Sequence, residues 1–341
     1  MTRVYVGMSG GVDSSVTAAL LVEQGYEVTG VYMKNWTQDL PGMKCPWADD
    51  LADAKRVAVQ LGIDFKVFDF EKEYKQQVVD YMIDEYKAGR TPNPDVMCNQ
   101  EVKFKLFLDT ALADGADMIA TGHYARTENG KLLRAKDENK DQTYFLYRVT
   151  EVALQATLFP LGGYLKSEVR ELAKERGLYT ASKKESMGIC FVGKVGIRDF
   201  LSQYVETTPG KIIDKQSGET LGYHDGAIFY TIGQRHGLDI GGGLPYYVAG
   251  KNMDKNEVYV TTQLNDENLW KQQIELQSLH WINEAPTDGE YHVRIRHRAP
   301  LVPAKLEGSI LTLTDAQRAI AAGQSVVIYD DTTCLGGGII T

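Results

Sequence analysis

A glycine loop between a short apolar strand and a helix constrains the fold of this 341-residue chain more than any other feature. The strand runs from Arg3 to Met8, the loop is Ser9-Gly10-Gly11-Val12-Asp13-Ser14-Ser15, and helical spacing continues from Ser14 to Gln24. This order surrounds a bound anion with backbone N–H groups and the positive end of the helix dipole. The sequence therefore predicts a phosphate site at the end of the first strand of an α/β sheet.

Side chains of the loop extend this prediction. The hydroxyls of Ser9, Ser14 and Ser15 offer further donors to phosphate oxygens, whereas Asp13 either orders the turn or holds Mg²⁺. The alternative is a helix cap after a glycine turn, for which two adjacent glycines alone are weak evidence. No G-x-x-x-x-G-K-[ST] occurs in the chain, so the sequence gives no support to γ-phosphate hydrolysis of the Walker type.

The rest of the first half alternates between strand and helix patterns, which indicates a parallel sheet covered by helices. Further strands are predicted at Glu27 to Met33, Ile63 to Phe70 and Asp117 to Thr121. Helices are predicted at Trp47 to Leu61, Tyr74 to Lys87, Glu101 to Ala113 and Lys166 to Arg176. Glycines stand where the helix from Ser14 and the first three of these helices are expected to end, at Gly25, Gly62, Gly89 and Gly115. The pattern is typical of a doubly wound α/β fold.

After about Thr208 the pattern changes to short strands separated by Gly, Asp and Asn turns. A small central domain is predicted, with strands at Ala227 to Ile232, Tyr246 to Ala249 and Val258 to Thr261. A compact antiparallel β-barrel follows, with strands at Tyr291 to Arg298, Pro303 to Leu306, Ile310 to Leu313, Ser325 to Tyr329 and Gly338 to Ile340. The predicted domains are residues 1–205, 206–271 and 272–341, and residues 155–185 are a candidate for packing with the central domain.

The net charge and the distribution of apolar residues indicate the cellular location of the protein and the partners that it can bind. No apolar run reaches the length of a membrane span, and no signal-type segment precedes Val4, so we expect a soluble, cytoplasmic protein with no membrane partner. The net charge of −9 at pH 7 argues against indiscriminate binding of nucleic acid, because Lys and Arg neutralise phosphates. Any contact with RNA must then be made by a local basic patch.

Two of the four cysteines lie in segments that favour reactivity. Two prolines in Thr91-Pro92-Asn93-Pro94-Asp95-Val96-Met97-Cys98-Asn99 disfavour helix, so we expect a rigid loop that delivers Cys98 just before a helix beginning near Glu101. A helix N-terminus lowers the pKa of a thiol, and Asp95 is a candidate acid or base. Cys190 lies between glycines, in a segment predicted to be a mobile loop.

The alternative for each cysteine is a small buried hydrophobic residue, and this is our interpretation of Cys45 and Cys334. The settings of Cys98 and Cys190 favour catalysis instead. Because no C-x-x-C pair occurs, neither a disulfide framework nor a zinc ribbon is indicated. Metal binding by Cys98, Cys190 and histidines is the weaker option, and no metal centre is predicted.

A basic stripe marks the first predicted strand of the barrel. Strand alternation places four basic side chains on one face, and they are His292, Arg294, Arg296 and Arg298. The stripe is either a solvated strand face or a surface that contacts RNA phosphates. Both interpretations remain open on the sequence alone.

Longer motifs carry a resemblance to known families. S-G-G-x-D-S resembles the pyrophosphate loop of the ATP pyrophosphatases, which implies cleavage of Mg²⁺–ATP between its α and β phosphates. N-P-D-V-M-C-N, K-E-S-M-G-I-C-F-V-G and the stretch from Gly222 to Gly243 resemble the bacterial-type tRNA-specific 2-thiouridylase family along nearly the whole chain. The resemblance implies that the 2-oxygen of the wobble uridine is adenylated and replaced by sulfur, with release of AMP and pyrophosphate.

The resemblance also implies roles for individual residues. Cys190 receives persulfide sulfur from a cysteine desulfurase or a sulfur-relay protein, Cys98 acts as nucleophile, and a Cys98–Cys190 disulfide is one of the intermediates this allows. The residues implied at ATP are Gly7, Met8, Ser9, Gly10, Gly11, Val12, Asp13, Ser14, Met33 and Gly122. Those implied at the target base are Asn93, Pro94 and Asp95. The residues that the resemblance implies to contact other parts of the tRNA are His123, Lys140, Asp141, Gln142, Arg296, His297 and Gln324.

Two rival functions are compatible with part of this pattern. Another pyrophosphate-loop synthetase that adenylates a carboxylate or carbonyl for attack by ammonia would need no pair of cysteines. A non-catalytic RNA-binding protein with a vestigial nucleotide fold would need neither the intact loop nor Cys98 and Cys190. Release of pyrophosphate that depends on tRNA would separate all three functions.

Overall fold

The computed structural model describes residues 1–39, 45–184, 196–241, 243 and 245–341. Within these residues the chain forms seventeen β-strands. In chain order they are β1 Arg3–Gly7, β2 Glu27–Lys34, β3 Asp64–Asp69, β4 Met118–Ala120, β5 Arg126–Glu128, β6 Lys131–Leu133, β7 Thr157–Leu158, β8 Gly210–Asp214, β9 Thr220–His224, β10 Tyr247–Asn252, β11 Glu257–Thr261, β12 Trp270–Trp281, β13 Gly289–Arg294, β14 Val302–Glu307, β15 Ile310–Arg318, β16 Ser325–Asp330 and β17 Thr333–Ile340. They form three sheets.

Helices lie mainly in the first half of the chain. In chain order they are α1 Val12–Glu23, α2 Trp47–Leu61, α3 through the consecutive segments Glu71–Tyr74, Lys75–Asp80 and Tyr81–Lys87, α4 through Pro94–Met97, Cys98–Leu106 and Phe107–Ala113, α5 Thr143–Leu146, α6 Glu151–Gln155, α7 Lys166–Glu175 and α8 Ile197–Leu201. The middle segments of α3 and α4 have the wider π-helical turn. Such turns often occur near functional sites.

The first sheet has five parallel strands in the order β3, β2, β1, β4, β7. Strand alternation sends Val4 and Val6 into one core with α1 and α2, whereas Tyr5 faces a second core with α3 and α4. The predicted doubly wound fold is therefore confirmed. Because the strand order reverses between β1 and β4, the loops after these two strands border the crevice where such folds bind ligands.

Most predicted boundaries in this part are confirmed to within a few residues. Helix α2 has the predicted limits and ends at Gly62, whose φ of +66° suits glycine. The short hairpin of β5 and β6 was not predicted. Strand β7 pairs with β4, and α7 packs on α1 through Val169, so both elements contact the first sheet or its helices.

The central part contains a four-stranded sheet in the order β10, β11, β8, β9. Its predicted strand from Ala227 to Ile232 is wrong, because Ala227–Phe229 forms a turn of 3₁₀ helix. A short apolar run gives the same signal for a buried turn as for a strand. Ala227 is buried and its amide donates to Asn256 Oδ1, so the turn is covered by the neighbouring hairpin.

The C-terminal part is the predicted antiparallel barrel. Six strands close it in the order β12, β15, β14, β13, β16, β17, because β12 also pairs with β17. The hairpin of β5 and β6 extends the sheet through pairing of β6 with β17. Val293, Leu311 and Val326 are fully buried in the barrel core. Within the described ranges, no helix is both long enough and apolar enough to cross a bilayer.

Candidate active site

The predicted phosphate loop joins β1 to α1, and glycine is required at one of its positions. Gly10 has φ +72°, and a Cβ there would lie 2.3 Å from the carbonyl oxygen of Asp50 in α2. Gly11 is the extended N-cap of α1, which begins at Val12. The backbone therefore approaches α2 closely and presents the N-terminus of α1 to the crevice, an arrangement that fits a phosphate group.

Serine hydroxyls hold the shape of this loop. The Ser9 amide donates to Ser14 Oγ at 3.2 Å, and Ser14 Oγ lies 3.2 Å from the Gly11 carbonyl oxygen. Ser15 is fully buried and its hydroxyl donates to the same carbonyl at 2.7 Å. The prediction that Ser15 donates to phosphate is therefore wrong, because its proton is already used inside the protein.

Asp13 lies in the first turn of α1, where its carboxylate meets a lysine that the sequence did not indicate. Lys166 Nζ is 2.7 Å from both Asp13 oxygens, and the hydroxyl of Tyr124 donates to Oδ1 at 2.9 Å. Lys166 is the first residue of α7, far from the loop in sequence. No local spacing reports such a pair, so only the packing of α7 on α1 reveals it.

Met33 and Gly122 lie beside this loop, at the ends of β2 and β4. A Cβ at Gly7 would lie 3.0 Å from Met33 Cε, and a Cβ at Gly122 would lie 2.9 Å from the Ser14 amide nitrogen. The ends of three adjacent strands therefore converge on the N-terminus of α1. The contacts of Met33 and Gly122 with adenosine stay predictions.

Cys98 lies within α4 and not in a loop before it. The helix begins at Pro94, and the Asn93 side chain accepts a hydrogen bond from the Val96 amide at 3.4 Å. The predicted loop up to Glu101 is wrong, because the fixed φ of proline suits the first helical position, where its missing N–H costs nothing. Cys98 is buried and opens the π-helical segment of α4. The lowered thiol pKa stays a prediction.

Cys190 lies outside the described residues. The chain that leads to it is fixed beside the phosphate loop, because Lys183 Nζ lies 2.8 Å from Asp50 Oδ1 and 2.7 Å from Asp53 Oδ2 in α2. Arg170 of α7 also donates to the Lys183 carbonyl at 2.7 Å. The backbone of Asp50 is also the one that packs against Gly10, so Lys183 contacts the same part of α2 as the phosphate loop does.

The residues before α4 form hydrogen bonds with both the central part and the C-terminal barrel part of the molecule. The Thr91 amide donates to the Ala322 carbonyl at 2.8 Å, and Gln324 Nε2 donates to the Thr91 carbonyl at 2.7 Å. The Thr91 hydroxyl lies 3.0 Å from that of Thr231 in the central part. A cleft of about 320 Å³ opens at this junction, lined by Thr231, Ile232, Gly233, Gln234, Arg296, Ala321 and Gln324. Arg296 and Gln324, which are both predicted to contact tRNA, line this cleft together.

Two predicted tRNA-binding histidines are neutral at physiological pH. Burial lowers the pKa of His123 well below its ordinary value, and its ring packs between Phe104 and Phe159. Burial, with Arg298 nearby, lowers the pKa of His297 to about 4. If either contacts tRNA, it does so as a neutral hydrogen-bonding or stacking group, and these contacts stay predictions.

The predicted basic stripe is wrong, because Arg296 and Arg298 lie beyond the strand and Arg294 is buried. Strand β13 ends at Arg294, and Arg298 has φ +63°, so the strand alternation does not continue. Arg294 is buried, and its guanidinium donates to Asp141 Oδ2 at 2.8 Å. Asp141 is buried as well and also accepts from the Thr143 hydroxyl at 3.0 Å. The carboxylate of Asp141 therefore faces the protein interior, and the contact of Asp141 with tRNA stays a prediction.

The remaining cysteines have environments that disfavour thiolate. Cys334 of β17 is fully buried, and burial raises its pKa strongly. Burial also raises the pKa of Cys45. Among the described residues, no group of three or more His, Cys, Asp or Glu side chains is arranged to hold a metal ion.

Three family models together match almost the whole chain. Residues 2–194 match the tRNA methyl transferase HUP domain, residues 198–262 match the tRNA methyl transferase PRC-barrel domain, and residues 271–340 match the aminomethyltransferase β-barrel domain. The limits predicted for the three domains, 1–205, 206–271 and 272–341, stay predictions.

Curated relatives match over nearly their full length. The tRNA-specific 2-thiouridylase MnmA of Bacillus subtilis strain 168 is 48% identical, with 99% of this chain and 95% of the relative covered. That of Methylobacillus flagellatus is 47% identical, with 99% and 98% covered. Among solved structures, a 4-thiouridine synthetase–RNA complex with bound ATP has 20% identity and a TM-score of 0.40 over 60% of this chain and 50% of that one.

Proposed function

Because the chain belongs to the tRNA-specific 2-thiouridylase family of sulfurtransferases, we propose that it converts the wobble uridine of tRNA to 2-thiouridine with ATP and a cysteine persulfide. The observation that carries the proposal is the convergence of two features at one edge of the first sheet. The glycine loop ends β1 there. Helix α4 precedes β4 in the chain and therefore also begins at this edge, with Asn93, Asp95 and Cys98 in its first turns.

The first proposed step is adenylation of the uridine. The 2-oxygen attacks the α phosphate of ATP, the bond to the β phosphate breaks, and pyrophosphate leaves with the electron pair. The amides of the glycine loop donate hydrogen bonds to the phosphates, and a bound Mg²⁺ would offset part of their negative charge. Adenylation makes the 2-oxygen a good leaving group, since it departs later as part of AMP.

The second proposed step transfers sulfur. A cysteine desulfurase or a sulfur-relay protein loads Cys190 with a persulfide, whose outer sulfur attacks carbon 2 of the uridine and displaces AMP. The Cys98 thiolate then attacks the sulfur of Cys190, which releases 2-thiouridine and leaves a Cys98–Cys190 disulfide. An external thiol reduces this disulfide by two electrons and resets the enzyme.

The proposed RNA surface joins the cleft between the three parts of the molecule to the start of α4. Arg296 is exposed at this cleft and Gln324 lies beside it, next to Thr91. An enzyme that modifies one base must take that base out of the stack. In this proposal, Asn93, Pro94 and Asp95 contact the extruded uridine, while Lys140, Gln142, His123 and His297 contact the flanking RNA.

The decisive experiment incubates the protein with unmodified tRNA, Mg²⁺–ATP and a persulfide donor. Mass spectrometry of the digested nucleosides should show one sulfur-for-oxygen exchange at uridine, and AMP and pyrophosphate should appear only when tRNA is present. Omission of the persulfide donor is the control for sulfur transfer. ADP as the main nucleotide product, or no thiolated uridine, would contradict the proposal.

A further inference from the structure

We propose that one loop of the C-terminal barrel, residues 319–324, is a positioning element for α4, the helix that carries Cys98. In this inference Gly323 and Gln324 hold Thr91, and Thr91 in turn fixes the first turn of α4 before tRNA binds. The inference rests on the proposed function. It gives barrel residues a part in the chemical step in addition to RNA binding.

The polar groups of Thr91 are bonded to the other two parts of the molecule. Its backbone amide donates to the Ala322 carbonyl at 2.8 Å, and its carbonyl accepts from Gln324 Nε2 at 2.7 Å. Its hydroxyl lies 3.0 Å from the hydroxyl of Thr231 in the central part. The barrel and the central part therefore set the position of a residue that belongs to the first part of the chain.

The barrel loop also contacts Thr91 backbone to backbone. Gly323 has φ +88°, and a Cβ there would lie 2.8 Å from the Thr91 amide nitrogen. On its other side the loop is tied to the barrel, because the Gly323 amide donates to the Ile340 carbonyl at 2.9 Å and the Ile340 amide donates to the Gln324 carbonyl at 2.9 Å. The loop is therefore a fixed surface against which Thr91 packs.

The segment between Thr91 and α4 is short and stiff. Pro92 and Pro94 have restricted φ angles, and one residue, Asn93, separates them. Asn93 caps the helix through a long hydrogen bond of 3.4 Å from the Val96 amide, which restrains the helix start only weakly. A displacement of Thr91 is therefore transmitted to the first turn of α4, where the proposed contacts with the uridine lie.

The same loop fixes the barrel side of the cleft. The Arg296 guanidinium donates to the Ala319 carbonyl, and Ala319 has φ +58°. A Cβ at Gly233 of the central part would lie 2.1 Å from the Ala319 Cβ. An alanine keeps a positive φ only where its surroundings enforce it. RNA that binds at this cleft therefore presents its uridine to a pocket whose position the same loop determines.

The burial of Cys98 provides a measurement that needs neither tRNA nor ATP. Cys98 lies one turn into α4 and is 1% exposed, so a reagent reaches its thiol only when the start of the helix opens locally. Asn99 is held further along the helix, because its Nδ2 donates to the Phe145 carbonyl at 3.1 Å. The alkylation rate of Cys98 therefore reports how firmly the first turn is held.

The first test measures alkylation of Cys98 by iodoacetamide in the reduced protein, with peptide mass spectrometry to separate it from the other thiols. Gln324→Met removes the donor to Thr91 and keeps a side chain of similar length. Alkylation should become about fivefold faster, the change in local opening expected when one hydrogen bond is lost. Gln317→Met is the matched control, since the Gln317 amide donates to the Asp315 carbonyl of its own strand, and it should react as the wild type does.

Gly323→Ala tests the same contact without removing a side chain that RNA could contact. The added Cβ should push Thr91 away from the loop, so the alkylation of Cys98 should become faster, as in Gln324→Met. Gly308→Ala is the control, because Gly308 has φ +60° in the turn between β14 and β15 and a Cβ there meets nothing within 4 Å. This pair separates displacement of Thr91 from the strain of a positive φ.

Steady-state thiolation distinguishes positioning from RNA contact. With saturating tRNA, Gly323→Ala should lower kcat about tenfold, because a small misplacement of reacting groups is costly, and should change KM for tRNA by less than about twofold. Gln324→Met should lower kcat as well. A higher KM with unchanged kcat in both variants, or an unchanged alkylation rate of Cys98, would overturn the inference. Equally faster alkylation of Cys334, which is fully buried in the barrel, would show general loosening of the fold and would also overturn it.

Failure of this inference is distinguishable from failure of the proposed function. If the wild type makes 2-thiouridine and both variants keep its kcat and its rate of Cys98 alkylation, only the role of the barrel loop is wrong. If the wild type makes no 2-thiouridine, the proposed function itself fails, and the inference fails with it.

Discussion

Burial sets the chemistry of single side chains throughout this molecule. It raises the pKa of the Cys334 thiol and lowers the pKa of the His123 imidazole, so neither group carries its charged form at neutral pH. Burial also lowers the pKa of Lys251 to about 8, while Nζ of Lys251 donates to the Tyr230 carbonyl at 2.8 Å. The same amino acids on the surface would keep their ordinary chemistry.

The two proposed catalytic cysteines should fail in different ways when replaced. Cys190→Ser should remove the persulfide formed with a desulfurase and L-cysteine, because a hydroxyl does not accept sulfane sulfur. Cys98→Ser should keep that persulfide but make little or no 2-thiouridine, because the group that resolves the persulfide is missing. Peptide mass spectrometry locates the persulfide, and nucleoside analysis measures the product.

Cys45→Ser is the control for the cysteine experiment, and it should keep both the persulfide and the product. A persulfide on Cys98 that survives Cys190→Ser would reverse the proposed roles. Thiolation at the wild-type rate by both single variants would exclude the two-cysteine mechanism.

Lys251 should give the protein a pH-dependent stability in the alkaline range. Its pKa is about 8 in the folded state and about 10.4 when unfolded, so between these values the unfolded chain binds more protons. The free energy of unfolding should therefore rise with pH across this range, relative to Lys251→Gln. Melting temperatures of both proteins at several pH values from 7 to 10.5 provide the measurement. Parallel curves would show that Lys251 titrates normally.

Two elements position the proposed chemistry, and each depends on a residue with a special backbone requirement. Gly10 brings the phosphate loop against α2, and Pro94 starts α4 three residues after Thr91. Both elements end or begin at the carboxyl edge of the first sheet. The backbone on both sides of the crevice therefore depends on a glycine with positive φ and on a proline at the first helical position.

Gly10→Ala should damage the phosphate loop in particular. Its positive φ costs an alanine roughly 1 to 2 kcal/mol, and the added Cβ would also clash with the Asp50 carbonyl. We expect lower stability in urea and a loss of ATP binding measured by calorimetry. Gly163→Ala is the control, since a Cβ there meets nothing within 4 Å. Equal behaviour of the two variants would show that the loop tolerates the side chain.

At the scale of the whole molecule, the barrel is fixed to the first sheet by buried polar contacts. Arg294 of the barrel pairs with Asp141, and the hydroxyls of Tyr329 and Thr143 lie 3.1 Å apart. The hairpin of β5 and β6 also extends the barrel sheet. These contacts set the position of Arg296 and Gln324 relative to the start of α4, on which the proposed tRNA surface depends.

Removing one partner of the Asp141–Arg294 pair should be costly. Asp141→Asn and Arg294→Met should each lower the free energy of unfolding by about 3 kcal/mol, because a buried charge is left uncompensated. The double variant should lose less than the sum of both. The exposed pair of Lys305 and Glu307 is the control, and its removal should cost less than about 1 kcal/mol. Additive losses measured in urea would show that the buried pair is not coupled.

The sequence by itself determined the elements whose signals are local. Strand and helix periodicity, the glycine loop and the helix-ending Gly62 depend on neighbouring residues, and the doubly wound fold and the barrel were predicted from them. The start of α4 was missed because Pro94 suits a loop as well as a first helical turn.

Tertiary structure decided whatever depends on contacts between residues distant in sequence. The pairing of Lys166 with Asp13, the burial of Arg294 against Asp141 and the junction at Thr91 arise when separate helices and strands pack together. Alternation along one strand predicts which residues share a face, but not whether another domain covers that face. Burial and charge pairing are therefore properties of the packed molecule, and they decide which polar residues remain available for chemistry.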